Sequence, residues 1–258
     1  MNAMSLNARQ QQILDRVQAR GELKISELKQ LFDVTEMTIR RDLEKLEQQG
    51  SVRRTFGGVV WIGKDVALQE RSVIRMEEKA RIGAQAAKLI LPGQSIFMDG
   101  GTTTLQIARS IEPNLEVTVV TNALNVAQEL QHKGISVIVV GGWLRKSTSS
   151  MVGSMAMEMI SRMAFDRTFL GASGLTGEHG FSNTNMEEAE LKRLAVKQSK
   201  ETYVVMDHSK FGSRSLFSFA NLDQVNHLIT SRLPSGDLLE SCRQAGIQLI
   251  LAEPDGRQ

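Results

Sequence analysis

Two groups of side chains in this 258-residue sequence have the types and spacing to do chemistry, and they lie far apart along the chain. The first is Thr35-Glu36-Met37-Thr38-Ile39-Arg40-Arg41, with Lys45 one turn further on. At about 100° per residue on a helix, Ile39, Leu43 and Leu46 form one apolar stripe. Met37, Thr38, Arg41, Glu44 and Lys45 then lie opposite, with Arg40 on the flank. A helix that enters the major groove needs this layout, an apolar back and donors near its N-terminus. Arg40 and Arg41 can each bind guanine in a bidentate fashion or clamp a phosphate, while Thr35 and Thr38 suit phosphate oxygens or a thymine methyl. Asp42 borders the buried stripe and is expected to be the structural partner of a neighbouring arginine.

The second group recurs along the last two-thirds of the chain: Asp99-Gly100-Gly101-Thr102-Thr103-Thr104, then Thr121-Asn122, Gly141-Gly142 followed by Arg145 and Lys146, Ala172-Ser173-Gly174, and Asp207-His208-Ser209-Lys210-Phe211-Gly212. Glycines let a backbone approach a ligand, threonine hydroxyls donate, and a helix N-terminus after the glycines favours an anion. It is not a Walker loop, because the terminal Gly-Lys-Ser/Thr is missing. Asp99 and Asp207 would accept from sugar hydroxyls, and Lys210 and Arg145 would neutralise a phosphate. The group reads as one pocket for a small anionic polyol. Asp166, Glu187 and Glu188 read as caps instead.

The elements that must hold these groups differ. Near the start, Leu6, Ile13, Leu14 and Val17 recur at helical spacing up to Arg20, and Gly21 stops the helix. Ser26 is the expected N-cap of a short second helix whose Leu28, Leu31 and Phe32 share a face. After a break at Asp33-Val34, Thr35 caps a third helix that runs to about Gln49. Short helix, turn and longer helix make a helix-turn-helix unit. Residues 51–60 then read as a two-stranded wing, with Ser26, Arg53 and Arg54 placed to meet the DNA backbone or minor groove. Residues 1–60 are thus expected to be a winged helix-turn-helix domain and 61–76 a linker. From 77 to 258 short β-branched runs alternate with helices. Strands are predicted at Ser95–Asp99, Val117–Thr121, Ser136–Val140, Thr168–Gly171, Tyr203–Asp207, His227–Thr230 and Gln248–Leu251. That alternation predicts a doubly wound, largely parallel α/β sheet, in which ligands bind beyond the carboxyl ends of the strands.

Composition narrows the partners. Thirty-one basic against 29 acidic residues leave a net charge of only +2, and that excess lies within residues 1–63, which hold 10 basic and 8 acidic side chains. A polyanion must therefore meet a local patch, and one head alone binds poorly, so a homodimer or homotetramer spanning two half-sites is expected. The lone Cys242 excludes an internal disulfide framework and a thiolate metal cluster. Four histidines without ligand spacing point to no metal, and no cofactor is expected. Apolar runs such as Ile135–Val140 are far short of a membrane span, and the polar start has no signal-peptide core, so a cytoplasmic location is expected. Five methionines in Met151–Met163 read as packing or a subunit contact on one amphipathic helix.

Arg9, Ile13, Val17 and the run Thr35–Leu43 resemble the helix-turn-helix signature of the DeoR family of bacterial transcription regulators. The resemblance continues through DGGTTT at 99–104, VVTNAL at 119–124, VVGGWLR at 139–145, Ser149, Val152 and Gly153, DRTFLGASG at 166–174 and DHSKFG at 207–212. It implies that residues about 22–41 form the helix-turn-helix, with Thr38–Arg41 beginning the recognition helix. It also implies a C-terminal domain similar in fold to ribose-5-phosphate isomerase and used to sense phosphorylated sugars. The isomerase's Asp-Gly-Ala-Asp-Glu loop supplies proton-transfer carboxylates, and the corresponding Gly171-Ala-Ser-Gly-Leu-Thr176 has none. Acid–base chemistry without such groups is implausible, so no catalytic residue is expected. The expectation is a repressor of a carbohydrate-utilisation operon, binding operator DNA under control of a sugar or polyol phosphate. A sugar-phosphate isomerase with an accessory DNA-binding head and a nucleic-acid scaffold with a vestigial sensor are the competing classes.

Overall fold

The computed structural model describes residues 6–20, 22–48, 52–55, 57–61 and 75–253. The N-terminal part runs α1 (Ala8–Arg20), β1 (Glu22–Lys24), α2 (Ile25–Phe32), α3 (Glu36–Gln48), β2 (Val52–Arg54) and β3 (Gly58–Trp61). Ile13 and Val17 of α1, Leu28 of α2 and Ile39, Leu43 and Leu46 of α3 are fully buried against one another. The i, i+4, i+7 stripe of α3 thus meets the other two helices, and its opposite face is left to solvent. Three short antiparallel strands, in the order β1-β3-β2, close the unit.

Two local expectations need correction. Ser26 is not the cap of α2: the helix begins immediately after Lys24, whose backbone N–H donates to Glu27 Oε2 at 2.8 Å. The reason is β1, which holds Glu22–Lys24 extended against Val60–Gly58. The pairing is so close that a Cβ at Gly58 would lie 2.3 Å from the Leu23 carbonyl oxygen. Leu31, expected to share the apolar face with Leu28, is 45% exposed.

Asp42 is buried and is structural, but its arginine is not a neighbour in sequence. Arg9 Nε donates to Asp42 Oδ2 at 2.6 Å and Gln10 Nε2 to Oδ1 at 2.8 Å, so α1 and α3 are tied across 32 and 33 residues. Gln10 is itself set by Asn7 in a reciprocal cap, with its N–H on Asn7 Oδ1 at 2.9 Å and its Oε1 accepting from Asn7 N–H at 3.1 Å.

The rest comprises α4 (Met76–Ala87), β4 (Ser95–Met98), α5 (Thr102–Ser110), β5 (Thr118–Thr121), α6 (Leu124–His132), β6 (Ser136–Val139), β7 (Trp143–Arg145), β8 (Ser150–Val152), α7 (Ser154–Ser161), β9 (Phe165–Gly171), β10 (Gly174–Thr176), β11 (Gly180–Asn183), α8 (Met186–Lys197), β12 (Ser199–Met206), β13 (Phe217–Ala220), β14 (His227–Thr230), α9 (Gly236–Gln244) and β15 (Gln248–Leu251). Seven strands form one parallel sheet in the order β15-β14-β12-β9-β4-β5-β6. They are the seven runs predicted from the sequence. Successive residues alternate between two cores, as pleating requires. Ile96, Met98, Val119, Phe169, Val205 and Ile229 face α4, α5 and α6. Phe97, Val120, Leu170, Val204, Met206 and Leu228 face α7, α8 and α9. Helices therefore cover both faces, which is the doubly wound arrangement. The hairpin β7–β8 and a small antiparallel sheet, β10-β11-β13, stand outside it.

The order of strands creates one special place. From β4 the chain moves outward through β5 to β6, then returns to lay β9 on the other side of β4 and moves away through β12, β14 and β15. Between the carboxyl ends of β4 and β9 the two halves diverge, leaving a crevice where open α/β sheets bind ligands.

Replacing Asp42 by alanine would leave the buried Gln10 amide and the Arg9 guanidinium without their acceptor. A loss of about 2 kcal/mol from the N-terminal unit is expected, because hydrogen bonds to a charged group carry roughly 1.5–3 kcal/mol. Urea denaturation of the full chain, followed by a probe in residues 6–61, would show a lower midpoint, and an unshifted midpoint would contradict the tie.

Candidate functional site

The outer face of α3 carries the first candidate site. Thr35 Oγ1 accepts from Thr38 N–H at 3.4 Å and lies 2.9 Å from Thr38 Oγ1, so the two hydroxyls sit together at the helix start. Met37 is 62% exposed. Arg40 pairs with Glu36 at 2.7 Å, and Arg54 with Glu47 at 2.7 Å, all four side chains being substantially solvated. Such exposed pairs are worth about 0–1 kcal/mol, so a phosphate can replace the carboxylate at little cost. Arg41 and Lys45 are exposed and form no ion pair among the described residues. Ser26 is exposed in the first turn of α2. The backbone of Arg53 pairs with Val60 in the wing, and its side chain lies outside the described residues.

The second candidate site is the carboxyl edge of the large sheet. Asp99 follows β4 and spans the crevice: its two oxygens accept the Gly171 N–H, each at 3.1 Å, and Oδ2 lies 2.9 Å from Lys192 Nζ. Lys192 also donates to the Gly171 carbonyl at 2.7 Å. Asp99 was expected to accept from a ligand. Its carboxylate is instead 99% buried and engaged in joining β4, β9 and α8.

A second buried carboxylate lies four residues earlier on α8. Glu188 Oε1 accepts from Thr148 Oγ1 at 2.6 Å and from Ser150 Oγ at 3.2 Å, and Oε2 from Asn183 Nδ2 at 2.9 Å. Arg145 Nε stands 3.8 Å away, and Ser173 Oγ donates to Asn183 Oδ1 at 2.9 Å. Glu188 is therefore not the cap it was read as. The cap is Asn185, whose side chain accepts Glu188 N–H at 3.0 Å. Asp166 is no cap either, accepting from Ser95 N–H and from Lys200 Nζ to join strands. Lys192 is absent from the sequence reading and Glu188 stands there only as a cap, yet the sequence carries a signal for both. They recur at i, i+4 within the stripe Glu188, Ala189, Leu191, Lys192, Ala195 that α8 buries.

Around these carboxylates the glycine and hydroxyl clusters converge. Gly100 packs against Ser150 and Ala123. Gly101 precedes α5, whose first N–H groups have no side-chain cap, and Thr102, Thr103 and Thr104 are nearly or fully buried. Thr104 Oγ1 donates to the Gly101 carbonyl at 3.2 Å, and Thr121 Oγ1 accepts from Ala123 N–H at 3.1 Å, so both hydroxyls shape turns. Gly142, at φ 147°, approaches Val152 so closely that a Cβ would sit 2.6 Å from its carbonyl oxygen. Asn122 Nδ2 donates to the Met151 carbonyl at 2.9 Å, but its Oδ1 is buried without a partner among the described residues, as are Oδ1 and Nδ2 of Asn125 one turn on. Unsatisfied buried amides cost about 1–3 kcal/mol each until something polar meets them. Nothing in the sequence marked Asn125.

Asp207 and Lys210 lie on the same edge, beyond β12, in a separate cluster. Asp207 Oδ1 accepts from Ser209 N–H at 3.1 Å and from Ser209 Oγ, capping a 3₁₀ turn at His208–Lys210. His208 Nδ1 is 2.9 Å from Glu78 Oε2 and 3.0 Å from Ser231 Oγ. Arg75 Nη1 donates to Glu78 Oε1 at 2.7 Å, with Nε 3.8 Å from Asp207 Oδ1. Burial pushes the Glu78 carboxyl up, but hydrogen bonds from Ser231 and Arg75 and the nearby His208 and Arg75 outweigh it and hold it at about 2. Glu78 is thus ionised across the physiological range.

Two clefts lie elsewhere. One of about 540 Å³ is lined by Met157 and by Glu190, Arg193 and Leu194 of α8. Another, of about 380 Å³, is lined by Met155, Glu158, Met159, Arg162 and Met163. Neither includes a residue of the carboxyl edge. Among the described residues no three ligating side chains gather to hold a metal, and no helix is long and apolar enough to cross a membrane.

Because Asp99 and Lys192 are both buried, removing one strands the other's charge, a loss of about 3–5 kcal/mol. Lys192→Met is expected to lower the melting temperature strongly and Asp99→Asn to rescue most of it. A double variant as unstable as the single one would refute the pairing.

Comparison with known proteins places both regions. Residues 9–64 match the DeoR-like helix-turn-helix domain, and residues 74–232 the DeoR C terminal sensor domain. The HTH-type transcriptional regulator IolR of Bacillus subtilis (strain 168) is 31% identical over 245 residues, covering 94% of this chain and 98% of its own. A putative aga operon transcriptional repressor of Escherichia coli O157:H7 is 32% identical over 249 residues, 94% of this chain and 93% of its own. Among solved structures, ribose 5-phosphate isomerase A from Methanocaldococcus jannaschii overlaps 53% of this chain and 54% of its own, with 15% identity and a TM-score of 0.40.

Proposed function

Since this chain belongs to the DeoR family of DNA-binding transcription regulators, we propose that it represses a carbohydrate-utilisation operon and that a phosphorylated sugar or polyol controls its grip on the operator. Residues 1–60 are the winged helix-turn-helix, 61–76 the linker and 77–258 the sensor. In this reading α3 enters the major groove. Arg41, Lys45, Met37 and Thr38 face the bases, and Thr35, Arg40, Arg53, Arg54 and Ser26 meet the phosphates. The observation that carries the reading is the pair of exposed cations, Arg41 and Lys45, with no ion-pair partner among the described residues, opposite a fully buried stripe.

The effector site is the carboxyl edge. The uncapped N–H groups at the start of α5, with Lys210 and Arg145, take the anionic end, and Asn122 with Oδ1 unsatisfied takes a hydroxyl. Gly100, Gly101, Gly142, Thr102, Thr103, Thr104 and Thr121 shape its wall, and Asp99 and Asp207 fix its floor rather than reach the sugar. Operator binding engages two half-sites, so the working form is a homodimer or homotetramer in the cytoplasm. The exposed Met155 on α7, with Met159 and Met163 beside it, gives that assembly an apolar contact.

Gel shifts with DNA from upstream of its own gene test the first half. Arg41→Ala is expected to weaken binding by roughly 1–3 kcal/mol, and unchanged affinity would remove Arg41 from the base-reading set. A thermal-shift screen of sugar phosphates tests the second, since a ligand specific for the folded state must raise the melting temperature. Lys210→Ala should leave DNA affinity intact and reduce the shift given by the best hit at least tenfold in ligand concentration. An unaltered dose response would remove Lys210 from the site.

A further inference from the structure

Arg75 is the residue at which the segment from the DNA-binding unit enters the sensor, directly ahead of α4. Three observations set it apart. Its backbone lies in the left-handed region, at φ 52° and ψ 40°, where a side chain bearing a Cβ is disfavoured by about 1–3 kcal/mol. Its guanidinium reaches two carboxylates on different elements, Glu78 of α4 at 2.7 Å and Asp207 beyond β12 at 3.8 Å. Asp207 is itself 98% buried, and the turn it caps carries Lys210, so Arg75 stands at the edge where the anionic ligand is placed.

The strained backbone persists because the surrounding contacts hold it, and those contacts are electrostatic. Arg75 is 38% exposed, and its ion pair with Asp207 is long. The arrangement is therefore easily exchanged: a phosphate offers a planar guanidinium a shorter, bidentate, doubly charged partner than a carboxylate 3.8 Å away. A negative group arriving beside the buried Asp207 carboxylate also raises the local demand for a second cation, and Arg75 is the nearest one, at 3.8 Å. Glu78 is braced from behind by His208, which also meets Ser231 Oγ at 3.0 Å, so α4 stays in place while Arg75 changes partner.

We propose that Arg75 couples the two functions: an anion bound at the carboxyl edge draws the Arg75 guanidinium away from Asp207 and Glu78 and thereby changes the affinity for DNA. This rests on the reading of that edge as the effector site. An effector shifts DNA affinity only if it binds one arrangement more tightly than the other, and Arg75 supplies that difference because its ion pairs belong to one arrangement alone.

The test uses the full chain, Arg75→Ala and Arg75→Lys, DNA from upstream of its own gene, and a mixture of glucose 6-phosphate, fructose 1-phosphate, fructose 6-phosphate and ribose 5-phosphate at matched ionic strength. Melting temperature reports binding of the mixture, and the ratio of DNA affinities with and without it reports coupling. The expected result is a melting shift in all three chains, an affinity ratio of about tenfold in the wild type, a reduced ratio in Arg75→Lys and a ratio within about twofold of unity in Arg75→Ala. A merely structural role would move the baseline melting temperature and leave the ratio alone. The proposal is overturned if Arg75→Ala keeps the wild-type ratio, if it loses the melting shift, which would make Arg75 a ligand only, or if the wild type shows a melting shift and no change in DNA affinity. Absence of any melting shift in the wild type would sink the sugar-phosphate reading instead. Coupling is then judged on the ligand-free chains, where Arg75→Ala must change DNA affinity at least threefold and an unchanged affinity overturns it.

Discussion

The buried ion pair between Asp99 and Lys192 is the constraint on which the sensor depends. The β4–β9 ladder runs up to the Asp99 N–H, which donates to the Phe169 carbonyl at 3.2 Å, and beyond it side chains take over. Asp99 takes the Gly171 N–H, Lys192 takes the Gly171 carbonyl, and each neutralises the other at 2.9 Å. A lone charge there would be far too costly to desolvate, whereas the complete set is satisfied. The same pair fixes α8 in rotation, so Glu188 is carried into its nest of Thr148, Ser150 and Asn183. Arg145 stands beside that nest, 3.8 Å from Glu188 Oε1.

The two ends of the molecule use charge in opposite ways. At the crevice, charges are buried and irreplaceable by solvent. On α3 and the wing, Arg40 and Arg54 are paired with Glu36 and Glu47 in water, where the pairs hold side chains in a defined place at almost no energetic commitment. Arg75 is intermediate, partly exposed but tied to a buried carboxylate. That gradation runs from charge that solvent cannot replace to charge that is readily exchanged.

Much of this was legible from the residues. The seven parallel strands were visible because both faces are covered, so each reads as a short β-branched run bounded by glycine or polar residues. The starts of β9 and β12 were not, since Asp166, Arg167, Lys200 and Glu201 break the apolar pattern; cross-strand pairs such as Arg167–Glu201 at 2.9 Å are what tolerate them there. The strands β1, β10, β11 and β13 are equally short but lack β-branched runs, reading Glu-Leu-Lys, Gly-Leu-Thr, Gly-Phe-Ser-Asn and Phe-Ser-Phe-Ala, and β1 displaced the expected cap at Ser26. The glycine and hydroxyl clusters do lie together at the carboxyl edge of the sheet, because local sequence reflects local backbone demands. The partners of Asp99 and Asp42 were hidden because Lys192 and Arg9 lie 93 and 33 residues away, and only tertiary packing brings them in.

The tie from α1 to Asp42 also separates the positions of α3 that can vary freely from those that cannot. Positions 37, 38, 41 and 45 point outward from α3, while 39, 42, 43 and 46 belong to the interior. Randomising the outward four as a cassette, with the inward four kept, leaves the helical frame untouched, so altered-specificity libraries built this way should return folded members at high frequency.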